Sequence, residues 1–212
     1  MAADRARKKK TRQGARNRPA ARMLPRGRVA GAVETMCAPS GTARFGAGKA
    51  LCVTAQKDPE RVYPHFDALA ALVESDSKIV RWNAIQLVGR LAAVDVERKV
   101  DGRLDTILAM INGDNLVSAA NAIQAAGRIA GCRPELIDRI LAGVLAVERA
   151  TYKTPECRNV AIGQALDVFR ELGPDVCRRA EVAGFIRRQR KNTRPAVARR
   201  AKQMTAAIAA ET

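Results

Sequence analysis

The segment "NAIQLVGRLA" at residues 83–92 returns as "NAIQAAGRIA" at 121–130, identical at seven of ten positions with a shift of 38. Looser copies stand at 47–55 ("AGKALCVTA"), 158–166 ("RNVAIGQAL") and 196–204 ("AVARRAKQM"). Aligning the central small residue of each copy gives Ala50, Ala84, Ala122, Ala161 and Ala201, at intervals of 34, 38, 39 and 40. A period of this size is long enough for two helices and a turn. Val80, Ala84, Leu87, Val88 and Leu91 fall on one face of a first helix, with Ser77 or Asp76 as its N-cap. Val100, Leu104, Ile107, Leu108 and Ile111 fall on one face of a second helix, which stops at Gly113. One hairpin cannot bury its apolar face alone, but stacked hairpins bury a continuous core. The expected fold is therefore all-α: a right-handed α-solenoid of about four to five helical hairpins.

Composition agrees with stacked helices. Apolar residues make up 47% of the 212-residue chain and aromatics only 3%, so Ala, Leu, Ile and Val must fill the core. Small side chains let helices approach closely. No stretch approaches 18 uninterrupted apolar residues, which argues against a membrane span. The basic N-terminus has no apolar h-region, which argues against secretion and for a cytoplasmic protein.

Within the repeats, Leu69, Leu72, Val73, Asp76, Val80, Arg81, Ala84, Gly89 and Leu91 resemble the consensus of HEAT repeats, including the short repeat proteins of bacterial type. That pattern is a leucine-rich second helix, an Asp-containing turn, then Val-Arg-x-x-Ala and a Leu/Val-Gly-x-Leu ending. The fourth copy keeps Pro155 and Arg158-x-x-Ala161, whereas the third has Ala119 in place of Arg81. The resemblance covers about residues 43–210. It implies an extended binding surface and does not imply one activity.

The net charge of +17 is confined to the two ends. Residues 1–28 carry eleven Lys/Arg against Asp4 alone, and residues 177–202 carry ten against Glu181 alone. Residues 1–42 show no helical or strand period and read as a basic, disordered tail, leaving 43–212 as the repeat domain. Three roles fit such a tail: an arm for an anionic partner, a mitochondrial-type leader, or a stretch upstream of a start at Met23 or Met36.

"GTARFGAGKALCV" at 41–53 has the glycines and lysine of a phosphate-binding loop. However, the leading glycine would fall on Ala43 and the magnesium-ligating hydroxyl on Ala50, and no β-branched run precedes it. It reads as a first repeat helix, whose glycines thin it for close packing. His65 is the only histidine, and the five cysteines (37, 52, 132, 157, 177) contain no CxxC. No cofactor or metal is expected, and the cysteines read as buried or half-buried thiols of a reducing compartment. The alkylpurine DNA glycosylases share HEAT-like architecture, but this chain has one tryptophan, and Asp167 beside Phe169 is a poor catalytic candidate.

Two surfaces stand out. Asn83, Gln86 and Arg90 recur as Asn121, Gln124 and Arg128, a polar stripe that stacked repeats set side by side, fit either to read a peptide or phosphate backbone or to be a solvated face or hydrogen bonding between repeats; the fourth copy offers Val160, Gly163 and Asp167, so the stripe reads as short. Ten basic residues on the last helices include Arg187, Arg188, Arg190, Lys191, Arg194, Arg199 and Arg200, and such a cluster implies a strong positive field, which fits phosphates of nucleic acid, an acidic protein, or a polar cap on the terminal repeat. Trp82 is expected to flank the buried stripe between repeats. The function read from these features is a non-enzymatic adaptor for a protein partner; the alternative is nucleic-acid binding through the tail and the C-terminal cluster. The sequence leaves the oligomeric state open.

Overall fold

The computed structural model describes residues 21–210, so the expectations placed on residues 1–20 lie outside the described part. Among the described residues there are helices and turns and no strands. The α-helices are α1 (Val29–Cys37), α2 (Ala43–Lys57), α3 (Phe66–Ala71), α4 (Lys78–Leu91), α5 (Asp101–Ala109), α6 (Leu116–Cys132), α7 (Ile137–Leu145), α8 (Pro155–Leu172), α9 (Pro174–Arg178), α10 (Ala180–Gln189) and α11 (Pro195–Ala210). The long helices α2, α4, α6, α8 and α11 pack in sequence as one row. The shorter α3, α5, α7 and α10 form the returning row, each except α10 ending in a 3-10 turn. The array is an α-solenoid of four hairpins with half a unit at each end.

Apolar spacing predicts the core well. Val80, Ala84, Leu87, Val88 and Leu91 are buried, as are Val100, Leu104, Ile107, Leu108 and Ile111. Ala84, Ala122, Ala161 and Ala201 are fully buried at the centres of their helices. The first copy departs from this register: Ala50 is half-buried, and α2 instead buries Gly48, Leu51, Thr54 and Ala55. Close spacing of the long row needs small residues. A Cβ on Gly89 would lie 2.7 Å from the Ala125 Cα, and one on Gly48 would lie 2.6 Å from Asn83 Nδ2. In the glycine-rich stretch 41–53 only Gly48 is at such a contact, because Gly46 faces open space and Gly41 sits in a turn at φ +100. Between the rows, Phe169 and Phe185 meet edge to face with centroids 5.5 Å apart.

Helix starts follow the capping rules unevenly. Asn115 accepts from the Ser118 N–H at 3.0 Å, and Thr154 accepts from the Cys157 N–H at 3.2 Å. Ser77 occupies the N-cap of α4 without a side-chain bond; Arg81 Nε braces that turn instead, donating to the Ser75 carbonyl at 2.9 Å.

One boundary is corrected. The tail was expected to run to residue 42, but α1 is part of the folded body. Val29, Val33 and Met36 fall at i, i+4 and i+7 and are buried against the first hairpin. The chain is pinned further upstream, where Leu24 N–H donates to Thr54 Oγ1 at 3.0 Å and Arg61 donates to the Leu24 carbonyl at 2.8 Å.

The turns carry a polar network that periodicity does not reveal. The buried Asp95 carboxylate accepts from Tyr63 Oη at 2.7 Å and from the Lys99 and Val100 N–H groups at 2.9 and 2.8 Å. Arg133, also buried, reaches Asp95, Asp101 and Glu135. Tyr63, Asp95 and Arg133 lie in three successive units, so one carboxylate ties three hairpins together. Burial and the bond to Asp95 push the Tyr63 hydroxyl above its usual range.

Candidate functional site

The polar stripe is a hydrogen-bonded ladder across the long-helix row. Its members are half-buried, held one to the next. Gln86 Nε2 on α4 donates to Asn121 Oδ1 on α6 at 2.8 Å, and Asn121 Nδ2 donates to the Val117 carbonyl at 2.7 Å. Gln124 Nε2 on α6 donates to Gln164 Oε1 on α8 at 2.9 Å. Trp82 Nε1 donates to Ser118 Oγ at 3.0 Å, so the tryptophan flanks the stripe and bridges two units.

The ladder does not end at the third copy. Alignment of the central alanines points to Gly163, but Gln164, one residue later, supplies the amide. Beyond it Arg200 on α11 donates to Asp167 Oδ2 and to the Gly163 carbonyl, each at 2.8 Å. The signal was available: Gln164 follows Gln124 by 40 residues, the spacing found at the end of the array.

The two arginines of the ladder share one acceptor. Arg90 Nη1 and Arg128 Nη1, on different helices, both donate to Gln86 Oε1, the latter at 3.1 Å. Neither forms an ion pair among the described residues. Two like charges sharing one acceptor repel each other. Burial, and then Arg90, hold the Arg128 guanidinium below its usual range, while Glu171 and Cys52 act the other way. Two donors here are buried without an acceptor among the described residues: Arg90 Nε and Asn83 Nδ2. Cys52 lies beside Asn83, its Sγ 3.5 Å from the Asn83 carbonyl. Burial pushes its thiol up to about 11, against the opposing field of Arg90 and Arg128.

The C-terminal cluster is different, and its expected field is reduced. Arg188 pairs with Glu148 through two bonds of 3.1 and 2.7 Å, Arg194 pairs with Glu156, Arg200 with Asp167, and Arg179 with Asp138. Each carboxylate lies 33–41 residues earlier, on the preceding unit. Of the seven cluster candidates, Arg188, Arg194 and Arg200 thus knit repeats together, while Arg187, Arg190, Lys191 and Arg199 are exposed without ion pairs among the described residues. Asp167 pairs with both Arg200 and Arg170, one through each carboxylate oxygen.

The clefts are shallow and lie mostly toward the ends. One of about 310 Å³ is lined by Arg170, Pro174, Cys177, Met204 and Ile208. The cysteines are free thiols; Cys37 and Cys132 are exposed rather than buried, because they sit at the last residues of α1 and α6. No helix among the described residues is long and apolar enough to cross a membrane.

No family model and no curated protein matches the chain. Solved structures do. The chain is similar to the designed armadillo repeat protein YIII(Dq)4CqI, with TM-score 0.60, 16% identity, and 86% of this chain and 82% of that one covered. It is also similar to the designed armadillo repeat protein YIII(Dq.V1)4CPAF in complex with the peptide (KR)4, with TM-score 0.61, 16% identity, and the same coverage of 86% and 82%. Computationally designed armadillo repeat proteins for modular peptide recognition match at TM-score 0.59 and 16% identity, over 85% of this chain and 82% of theirs. At these identities the likeness establishes the helical-repeat solenoid.

Proposed function

We propose that this chain is a non-enzymatic scaffold that binds an extended segment of a protein partner along the polar ladder of its long-helix row, in a reducing cytoplasm. The observation that carries this reading is the ladder itself: amide and guanidinium side chains in register on four successive long helices, from Gln86 to Arg200. An extended peptide presents a backbone donor and acceptor at regular intervals, and a row of amides can meet both. Gln124 Oε1 and Gln164 Nε2 have no partner among the described residues, which leaves an acceptor and a donor for such a backbone. A similar solenoid holding a peptide supports this use of the fold.

The test is peptide display selected against the wild-type chain and re-tested on a Gln124→Ala, Gln164→Ala variant and on a control changed at exposed Glu60 and Asp114. The selected peptides should lose about tenfold or more in affinity on the ladder variant and keep it on the control. Equal binding to both would overturn the reading.

A second reading rests on Arg187, Arg190, Lys191 and Arg199, exposed near the turn after α10: contacts to nucleic-acid phosphates, joined by the basic residues of 1–28. It requires a mobility shift at low salt that is steeply lost at high salt. No shift at low salt rules it out.

A further inference from the structure

The ladder is neutral amide for most of its length, with charge at two places. At the α8–α11 end Arg200 is matched by Asp167 at 2.8 Å. At the α4–α6 step Arg90 and Arg128 face one amide oxygen and no carboxylate. Nothing in the described chain completes this second place. Arg90 spends Nη1 on Gln86 while its Nε–H is buried without an acceptor. The nearest compensation for Arg128 is Glu171 on α8, which forms no ion pair with it. Holding two guanidiniums together unneutralised is unfavourable unless an anion joins them.

We propose that Arg90 and Arg128 clamp one carboxylate of an acidic peptide lying along the ladder, which makes the partner segment anionic. The inference rests on the peptide-scaffold reading and adds the chemistry of its ligand. Guanidiniums match a carboxylate through paired N–H groups, and a single anion held by both removes their mutual repulsion. A peptide fits better than nucleic acid here. A phosphate backbone places charges at every step and wants a row of cations. Among the described residues the ladder has two cations without a paired carboxylate, Arg90 and Arg128, flanked by the amides Asn83, Gln86, Asn121 and Gln124; its third, Arg200, is matched by Asp167, and Glu171 adds a further carboxylate. A peptide with its acidic residue at the α4–α6 step and neutral residues toward α8 meets that pattern. The designed solenoid holding (KR)4 shows that a similar fold takes a peptide of the opposite charge.

Fluorescence polarisation with labelled (Gly-Glu)4, (Gly-Gln)4 and (Lys-Arg)4 peptides tests this on the full chain, with a phosphoserine peptide and a single-stranded oligonucleotide as competitors. (Gly-Glu)4 should bind about tenfold tighter than (Gly-Gln)4, and (Lys-Arg)4 should not bind. Arg90→Met and Arg128→Met should each remove most of that preference, with the helical circular dichroism unchanged. Changing Arg187 and Lys191 together to Met should leave it intact. If both neutral and acidic peptides bind equally, and lose affinity on Gln124→Ala but not on Arg90→Met, the clamp falls and the scaffold reading stands. If no peptide binds at millimolar concentration, both fall. If the phosphopeptide or the oligonucleotide outcompetes (Gly-Glu)4 through Arg90 and Arg128, the carboxylate assignment is overturned.

Discussion

Arg200 and Arg128 project from the same row of long helices, yet they sit in opposite electrostatic settings. Arg200 belongs to one of the two basic ends of the sequence and is locally neutral, because Asp167 meets it one unit back. Arg128 belongs to the neutral middle of the sequence and is locally uncompensated, because its nearest polar partner is Gln86, already shared with Arg90. Charge density along the chain therefore gives the wrong ranking of the two places. In a solenoid the relevant neighbour of a residue lies one period away, and a cluster of arginines is only as positive as the carboxylates some 40 positions earlier allow.

The largest test removes compensation altogether. Ala122→Arg forces a guanidinium into the fully buried contact between long helices, with no carboxylate, no amide and no space. It should cost about 3–5 kcal/mol, read as a fall in urea midpoint, and Ala84→Arg should behave alike. A midpoint unchanged in both would break the stacking register on which the comparison depends.

Next comes the paired arginine. Arg200→Met removes a half-buried guanidinium bonded to Asp167 and the Gly163 carbonyl, and should destabilise by about 1–2 kcal/mol. Asp167 keeps Arg170, which limits the loss. The same change in the middle should go the other way or nowhere. Arg128→Met keeps the packing stem and relieves a like-charge contact, so its midpoint should match wild type within about 0.5 kcal/mol or rise above it. Added salt should raise the wild-type melting temperature at the middle pair's expense and flatten the difference between the two proteins. A loss at Arg128 as large as that at Arg200 would mean that the two settings are equivalent.

Much of this molecule is legible before any coordinates. The repeat of "NAIQ…GR" fixes the period, and the apolar faces of α4 and α5 follow from spacing alone. What escapes has a common cause: it depends on register across units. The Gln164 rung falls one residue off the alignment of the alanines, and Ala50 misses the core for the same reason. The Arg188–Glu148 and Arg194–Glu156 pairs connect residues 40 and 38 apart, invisible until the helices are stacked. Helix α1 was missed differently. Val29, Val33 and Met36 carry a helical signal, but it spans only nine residues directly after a run of arginines. The Asp95–Arg133 network lies in turns, where no periodicity exists to read.

The smallest effect uses a thiol as a probe of the middle pair. Two influences set the acidity of Cys52: burial raises it, and the fields of Arg90 and Arg128 lower it, with burial dominant and the result about 11. Thiolate is the reactive form, so iodoacetamide should label Cys52 slowly near neutral pH, and faster by up to tenfold per pH unit until about 11. Removing either guanidinium takes away a field that favours the thiolate. Arg90→Met or Arg128→Met should therefore slow Cys52 labelling by roughly two- to fivefold at fixed pH, measured by mass spectrometry against exposed Cys132 in the same sample. Arg200→Met, whose charge is already matched by Asp167, should leave the ratio unchanged. An anion seated between Arg90 and Arg128 should slow labelling as the Met variants do, so the same thiol reads both halves of the comparison: whether the middle arginines are uncompensated, and what compensates them.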